Sequence, residues 1–314
     1  MADRVGEKNT DAKSDVVFVI VSYNTRRLLE ELFNFFAGIA LPFSYSLIVV
    51  DNNSTDGSKE YLRQQKHVTV IQNEENIGYG RAMNRGIAAS ESSYVAVLNT
   101  DLILNGEALT ALWNYLESHS DVGICAPLIC NADGTLQGFV YTFALSTLYS
   151  DFLSKLVSKR QKLRLAKAKA PLHVDGVMGA FMLLRRSIID QGKLFDEDFF
   201  FYYEDTELAL RMKRRGVRCM VLPDQGIIHL GGQSSSVKDC AQFCKSKFLF
   251  IEKQYGPRHA RLVYLRDRVK MRLKAMEYAF LSLLWPTQKV KNKRYAYGQM
   301  VQTLRAIRTG SRLI

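Results

Sequence analysis

The stretch Tyr94–Asn105, "YVAVLNTDLILN", runs an apolar segment into Asn99, Thr100 and Asp101 before a second apolar segment begins. An unbroken run such as "YVAVL" suits a strand covered on both faces, as strands of a parallel sheet are. Three similar runs precede it: "VVFVIV" (16–21), "SLIVV" (46–50) and "VTVI" (68–71). Between them "TRRLLEELFNFFAG" closes on Gly38, "TDGSKEYLRQQ" opens with Asp56 as a candidate N-cap, and a third helix is predicted from Tyr79 to Ala89. Alternation of this kind predicts an α/β fold with a mainly parallel sheet flanked by helices.

Ligands of such sheets gather beyond the carboxyl ends of the strands. Four polar segments fall there: "SYN" (22–24), "DNNSTDGS" (51–58), "NEENIGYGRAMNRG" (73–86) and "NTD" (99–101). Magnesium takes one or two protein carboxylates and leaves its other positions to phosphate and water, which suits Asp101; an aspartate capping its own loop is the alternative. No dinucleotide fingerprint is present, because Ser22-Tyr23-Asn24 stands where G-x-G-x-x-G is required. The phosphate ligand these loops suit is a nucleotide. Asp51 could accept a hydrogen bond from a base N–H and Arg81 could meet a diphosphate, or Arg81 is a solvated helix residue.

Further along, a helix ("GEALTALWNYLESH") and a strand ("VGICAP") are followed by a hairpin at "NADGT". Residues 145–172 form a basic excursion, and "HVDGVMGAFMLLRR" (173–186) returns to strand character. The acidic pair Glu204-Asp205 follows the aromatic run "FDEDFFFYY". Adjacent carboxylates beside aromatic rings push at least one pKa upward, which suits a general base, whereas Asp205 as an N-cap is the structural alternative. His229 in "IIHLGGQSSS" could ligate a metal beside a flexible stretch that closes over the site, or serve structure alone.

Charge divides the chain. Of 43 Lys+Arg and 31 Asp+Glu, residues 245–314 hold 17 and 3, and residues 151–170 hold 7 and 1. The remainder is acidic, so the basic charge belongs to a surface-seeking tail rather than to a nucleic-acid-reading domain. A helix with Arg261, Arg266, Arg268, Lys270, Arg272 and Lys274 among apolar residues, running into "YAFLSLLW", suits an anionic membrane interface; a helix packed on its own domain is the alternative. The polar start reads as a disordered tail over residues 1–14 and not as a signal peptide, and no apolar stretch reaches the roughly 20 residues of a membrane span. A cytoplasmic protein, peripheral on the cytoplasmic face of the membrane, is the expectation. Five scattered cysteines argue for reduced thiols.

The order of "VIVSYNTRRLLEELF", "LIVVDNNSTDGS", "NIGYGRAMNRGI", "VLNTD", "VDGVMGAFMLLRR", "FDEDFFFYYEDTELALRMKRRG" and "HLGGQSS" resembles family 2 glycosyltransferases, in particular the rhamnosyltransferase-like branch, over about residues 15–236. The resemblance implies a GT-A fold over residues 15–237, ahead of a basic helical region over 238–314. It also implies a nucleotide-sugar donor, a divalent cation (Mg²⁺ or Mn²⁺) and inversion at the anomeric carbon. By the same resemblance Ser22, Asn24 and Asp51 face the donor nucleotide, Arg81 and Asn84 lie near its diphosphate, and Asp101 takes the metal. Asn99 stands where the older D-x-D pattern has its first aspartate. Asp205 matches the catalytic base with Glu204 beside it, and His229 matches a position that can add a metal ligand. The donor leaning is dTDP-L-rhamnose, with UDP-sugars as the alternative, and a basic helix lying on a membrane would make the acceptor a lipid-linked saccharide. Two rival functions are a sugar-phosphate nucleotidyltransferase, which should carry a Gly-rich basic loop after the first strand, and a non-catalytic protein attached to membrane or nucleic acid.

Overall fold

The computed structural model describes residues 14–138, 140–143, 151–231 and 240–310. Most of the 1–14 tail and the "QSSS" stretch after His229, with the 237/238 boundary, fall outside the described residues.

Four parallel strands, β1 (Val16–Ser22), β2 (Tyr45–Asp51), β3 (Val68–Gln72) and β4 (Tyr94–Leu98), lie in the order β3-β2-β1-β4. Val16 to Ile20 and Val95 to Leu98 are buried, as expected of strands covered on both faces. The sheet continues through β8 (Phe181–Arg185), antiparallel to β4, then β6 (Val122–Cys130), β9 (Arg218–His229) and β5 (Leu102–Ile103), with β7 (Leu172–Val174) pairing β9. The mixed sheet therefore changes polarity at β8. The predicted 173–186 strand divides into β7 and β8, because Gly176 and Gly179 between them pack against a helix rather than a neighbouring strand.

Helix α1 (Arg26–Gly38) buries Leu28, Leu29, Leu32, Phe33 and Phe36, the i, i+3/i+4 stripe that makes it amphipathic. Helices α2 (Ser58–Arg63), α3 (Tyr79–Ala88) and α4 (Gly106–Ser118) follow β2, β3 and β5. Asp56 is not the N-cap of α2: Gly57, at φ +88, holds that position. Its carboxylate instead accepts from Ser58 N and Oγ and from Arg26 N, tying the starts of two helices together. The basic excursion is helical over α5 (Asp151–Ala166), and α6 (Glu204–Arg214) leads into β9.

Three helices end the chain: α7 (Cys240–Tyr255), α8 (Pro257–Leu284) and α9 (Gln288–Gly310). Phe248, Phe250 and Ile251 of α7 join Phe199, Leu210, Val263, Tyr264 and Leu304 in a second apolar cluster beside the main core. Ser246 Oγ donates to Phe201 O at 2.7 Å, and Lys253 pairs with Asp196 and Asp198, so α7 is fastened to the segment ahead of α6. Helix α8 buries Ala260, Val263, Tyr264 and Asp267 on one face. Its other face exposes Leu262, Leu265, Val269, Leu273, Met276 and Phe280, again at helical spacing. The helix is thus apolar on two sides, one packed and one bare. No helix among the described residues is long and apolar enough to cross a membrane.

Candidate active site

Ser22 pairs with Asp51 and Asp51 with Gln72 in register, so the ends of β1, β2 and β3 meet at one edge. Asp51 is fully buried there. Its Oδ1 accepts from Ser54 Oγ at 2.5 Å, and its Oδ2 accepts from Ser54 N at 3.0 Å and Gln72 Nε2 at 2.7 Å. Ser22, also buried, pairs its hydroxyl with Thr25 and its carbonyl with Asn52 N. Asn24, at φ +55, accepts from Thr55 N at 2.7 Å and donates its backbone N–H to Ser54 Oγ. On α3, Asn84 uses its amide on Leu194 N, Phe195 N and Phe195 O, and Arg81 Nε donates to Glu197 O. These five residues hold the loops around a cleft whose surface is formed by Tyr23, Thr25, Asn52, Tyr79, Asn99 and Thr100. Gly78 at the start of α3 is required by contact: at φ +86, a Cβ there would come within 2.4 Å of Phe200 O.

Asp101 and His229 are brought together by the two-residue β5–β9 ladder, in which Leu102 pairs with His229. His229 Nε2 lies 3.2 Å from Asp101 Oδ1. Gln137 Nε2 donates to His229 O and its Oε1 lies 2.9 Å from His229 Nδ1, so the amide orientation makes Nδ1 the protonated nitrogen. Nε2 faces the fully buried Asp101 carboxylate. A hard carboxylate oxygen with an oriented imidazole beside it fits a divalent ion. Thr100 Oγ1 beside them is buried without a hydrogen-bond partner. No group of three or more His, Cys, Asp or Glu ligands exists among the described residues, so phosphate and water would complete a coordination shell.

The third group sits at the start of α6. Asp205 is not its N-cap, since Tyr203 occupies the cap position at φ +67 without a side-chain bond. Asp205 Oδ2 instead accepts from Tyr141 Oη at 2.7 Å and from Gly179 N at 3.0 Å. A Cβ on Gly179 would lie 3.2 Å from Asp205 Cβ, so the glycine lets the backbone N–H approach the carboxylate. Tyr202 and Tyr203 are consecutive left-handed residues, a conformation costing about 1–2 kcal/mol each. Glu204 is buried and its Oε2 has no hydrogen-bond partner. Burial first, and the charge of Asp205 second, push its carboxyl up to about 8. Burial likewise raises the phenols of Tyr79 and Tyr141, with Glu204 and Asp205 adding to both and Asp101 to Tyr79. Tyr79 links the parts: its ring lines the cleft beside Asn99 and Thr100, and its hydroxyl donates to Gly179 O at 3.0 Å.

Gln137, Tyr141, Gly179 and Tyr79 were not legible as site residues. Gln137 and Tyr141 reach their partners across 92 and 64 residues, and no local pattern announces a contact of that separation.

A sequence profile described as Glycosyl transferase family 2 matches residues 17–192, more than half of the chain. The chain is 28% identical over 270 residues to an N-acetylglucosaminyl-diphospho-decaprenol L-rhamnosyltransferase of Mycobacterium tuberculosis, covering 77% of this chain and 86% of that protein. It is 24% identical to the dTDP-rhamnosyl transferase RfbF of Shigella flexneri, over 94% of this chain and 96% of that one. Among solved structures, a mannosyltransferase of Pyrobaculum calidifontis in complex with GDP-Man and Mn²⁺ superposes with a TM-score of 0.53 at 16% identity, over 94% of this chain and 86% of that chain. That likeness is one of fold.

Proposed function

The chain belongs to glycosyl transferase family 2 and has the GT-A fold, and from this we propose that it moves a sugar from a nucleotide-sugar donor to a hydroxyl of a lipid-linked saccharide, with inversion at the anomeric carbon. The observation that carries the reading is the Asp205 carboxylate, held by Tyr141 and Gly179, whose carbonyl in turn receives the hydroxyl of Tyr79 from the wall of the cleft.

In this reaction the acceptor hydroxyl attacks C1 on the face opposite the nucleoside diphosphate. Asp205 takes the hydroxyl proton, and the electron pair of the breaking C1–O bond leaves with the diphosphate. The hydrogen bonds from Tyr141 and Gly179 fix the carboxylate in place, which converts encounter into alignment. Burial, with the Asp205 charge beside it, raises the Glu204 carboxyl and so favours its protonated form. Asp101 and His229 are the residues that would hold a divalent ion, Mg²⁺ or Mn²⁺, whose chemistry is to neutralise negative charge gathering on the departing diphosphate. The buried Thr100 hydroxyl and the cleft face of Asn99 adjoin that position.

The names of the mycobacterial and Shigella relatives support dTDP-L-rhamnose as the first donor to test, with UDP-sugars next. The bare apolar face of α8, flanked by Arg261, Lys270, Arg272 and Lys274, supports peripheral attachment to an anionic membrane, where a lipid-linked acceptor resides. Melting curves with dTDP, UDP, GDP and their sugars, with Mn²⁺ or with chelator, test the donor half: one nucleotide should raise the melting point by several degrees only when metal is present. Absence of a shift with every nucleotide would sink the reading. Nothing in the fold favours the nucleotidyltransferase alternative, since the turn after β1 is Ser22-Tyr23-Asn24-Thr25 and carries no glycine.

A further inference from the structure

A second cavity, of about 490 Å³, is lined by Asp205 and meets the first cleft at Tyr202, which lines both. Its walls come from the 141–143 segment, Ser154 of α5, Met178, the start of α6, and helices α7 and α8, and they combine three kinds of group. Tyr141, Phe143, Tyr203 and Phe250 give flat apolar faces of the sort that stack on sugar rings. Glu204 gives a buried carboxyl oxygen with no hydrogen-bond partner. Lys247 of α7 and Arg266 of α8 give two cationic side chains.

The cations are oriented rather than loose. Asp267, itself buried on α8, receives Lys247 Nζ at 2.5 Å on Oδ2 and Arg266 Nη2 at 2.6 Å and Nε at 2.9 Å on Oδ1. One carboxylate thus fixes a point charge and a planar fork side by side at the cavity wall. An ammonium beside a guanidinium is the combination that phosphate oxygens recognise through charge-assisted hydrogen bonds. Nothing in the transfer chemistry at Asp205 requires positive charge on this side, because the donor's diphosphate departs toward Asp101 and His229.

We propose that this cavity receives the acceptor, with its sugar on the aromatic wall against Glu204 and Asp205 and its phosphate at Lys247 and Arg266. The proposal rests on the glycosyl-transfer reading and names the acceptor's chemical class: a saccharide carrying a phosphate or diphosphate at its reducing end. The location suits a lipid-borne phosphate. Arg266 and the bare apolar face belong to the same helix, α8, so the element that would meet the lipid also supplies a cation to the cavity. Lys247 and Arg266 are then specificity-determining residues, and Asp267 is a positioning residue that acts through them.

The test uses the whole chain and an N-acetylglucosaminyl diphosphate bearing a short prenyl chain, with N-acetylglucosamine 1-phosphate and octyl N-acetylglucosaminide as comparisons. Calorimetry on the wild type, Lys247→Gln and Arg266→Gln reads acceptor affinity, and a nucleoside diphosphate titration on the same samples reads the donor cleft. The expected result is a loss of at least about tenfold in affinity for the prenyl diphosphate in either variant, with donor affinity unchanged and no effect on the phosphate-free glycoside. Equal sensitivity of the tail-free 1-phosphate supports the phosphate site and identifies a soluble sugar phosphate as its source. If a variant does not fold, protection of Lys247 from reductive methylation by the prenyl diphosphate in the wild type gives the same reading. Unchanged affinity in both variants, absence of methylation protection, or failure of the wild type to bind any phosphate-bearing probe while it binds nucleotide, overturns the acceptor assignment alone. Failure to bind nucleotide overturns the transferase reading instead.

Discussion

On the donor side of the cleft, Ser22, Asn24, Asp51 and Asn84 satisfy one another or the backbone. On the catalytic side, Thr100 Oγ1 and Glu204 Oε2 are buried without partners, and two tyrosines stand in left-handed backbone. The first side is a finished framework whose surface is offered by neighbours such as Asn52, Asn99 and Tyr79. The second holds buried polar atoms open to a partner such as an ion, a water or a ligand. Residue type alone does not distinguish a polar side chain that builds a site from one that works in it; its hydrogen-bond inventory does.

Four substitutions break or sharpen this contrast. Asp205→Asn retains an acceptor for Tyr141 and Gly179 but cannot take a proton, so the initial transfer rate should fall about 10³-fold with a melting point close to wild type. Normal turnover would move the base elsewhere. Gln137→Leu removes the group that orients His229, and the metal concentration giving half-maximal nucleotide binding should rise roughly 10- to 100-fold. On the donor side, Asp51→Ala strands Gln72 Nε2 and two Ser54 donors, which should lower unfolding free energy by about 2 kcal/mol in urea titrations. A variant of unchanged stability and lost nucleotide affinity would make Asp51 a direct ligand contact.

The smallest effect concerns Glu204. Its folded-state pKa is raised from 4.5 to about 8, so the folded protein binds a proton that the unfolded chain has already released. The protonated carboxyl's contribution is fully present below about pH 4.5 and is lost as pH rises toward 8. The wild type should therefore lose roughly a few degrees of melting temperature relative to Glu204→Gln between pH 5 and 8. Parallel melting profiles for the two proteins would show that burial leaves the carboxyl unshifted.

The parallel strands were legible because burial on both faces leaves an apolar run that few other structures produce, and β1 to β4 fall where those runs stand. Motif order singles out Asp101, His229 and Asp205, and the structure sets Asp101 beside His229 and Asp205 beside Tyr141 and Gly179. Neither Asp56 nor Asp205 caps its helix, because a helix start is set by backbone angles, here at Gly57 and Tyr203, that a nearby aspartate does not control. The two-sided character of α8 was hidden for a related reason: its buried and bare apolar faces share one helical period, and sequence does not say which meets a partner. Gln137 and Tyr141 depend on contacts made by the finished fold.

The union of Leu102 with His229 across β5 and β9 makes the meeting of His229 with Asp101 a matter of counting. Side chains alternate along a strand, so a shift of β9 by one residue against β5 would turn the imidazole to the opposite face. The length of β9 acts as a ruler. Its tally of residues, as much as the identity of any one of them, decides whether the imidazole reaches Asp101.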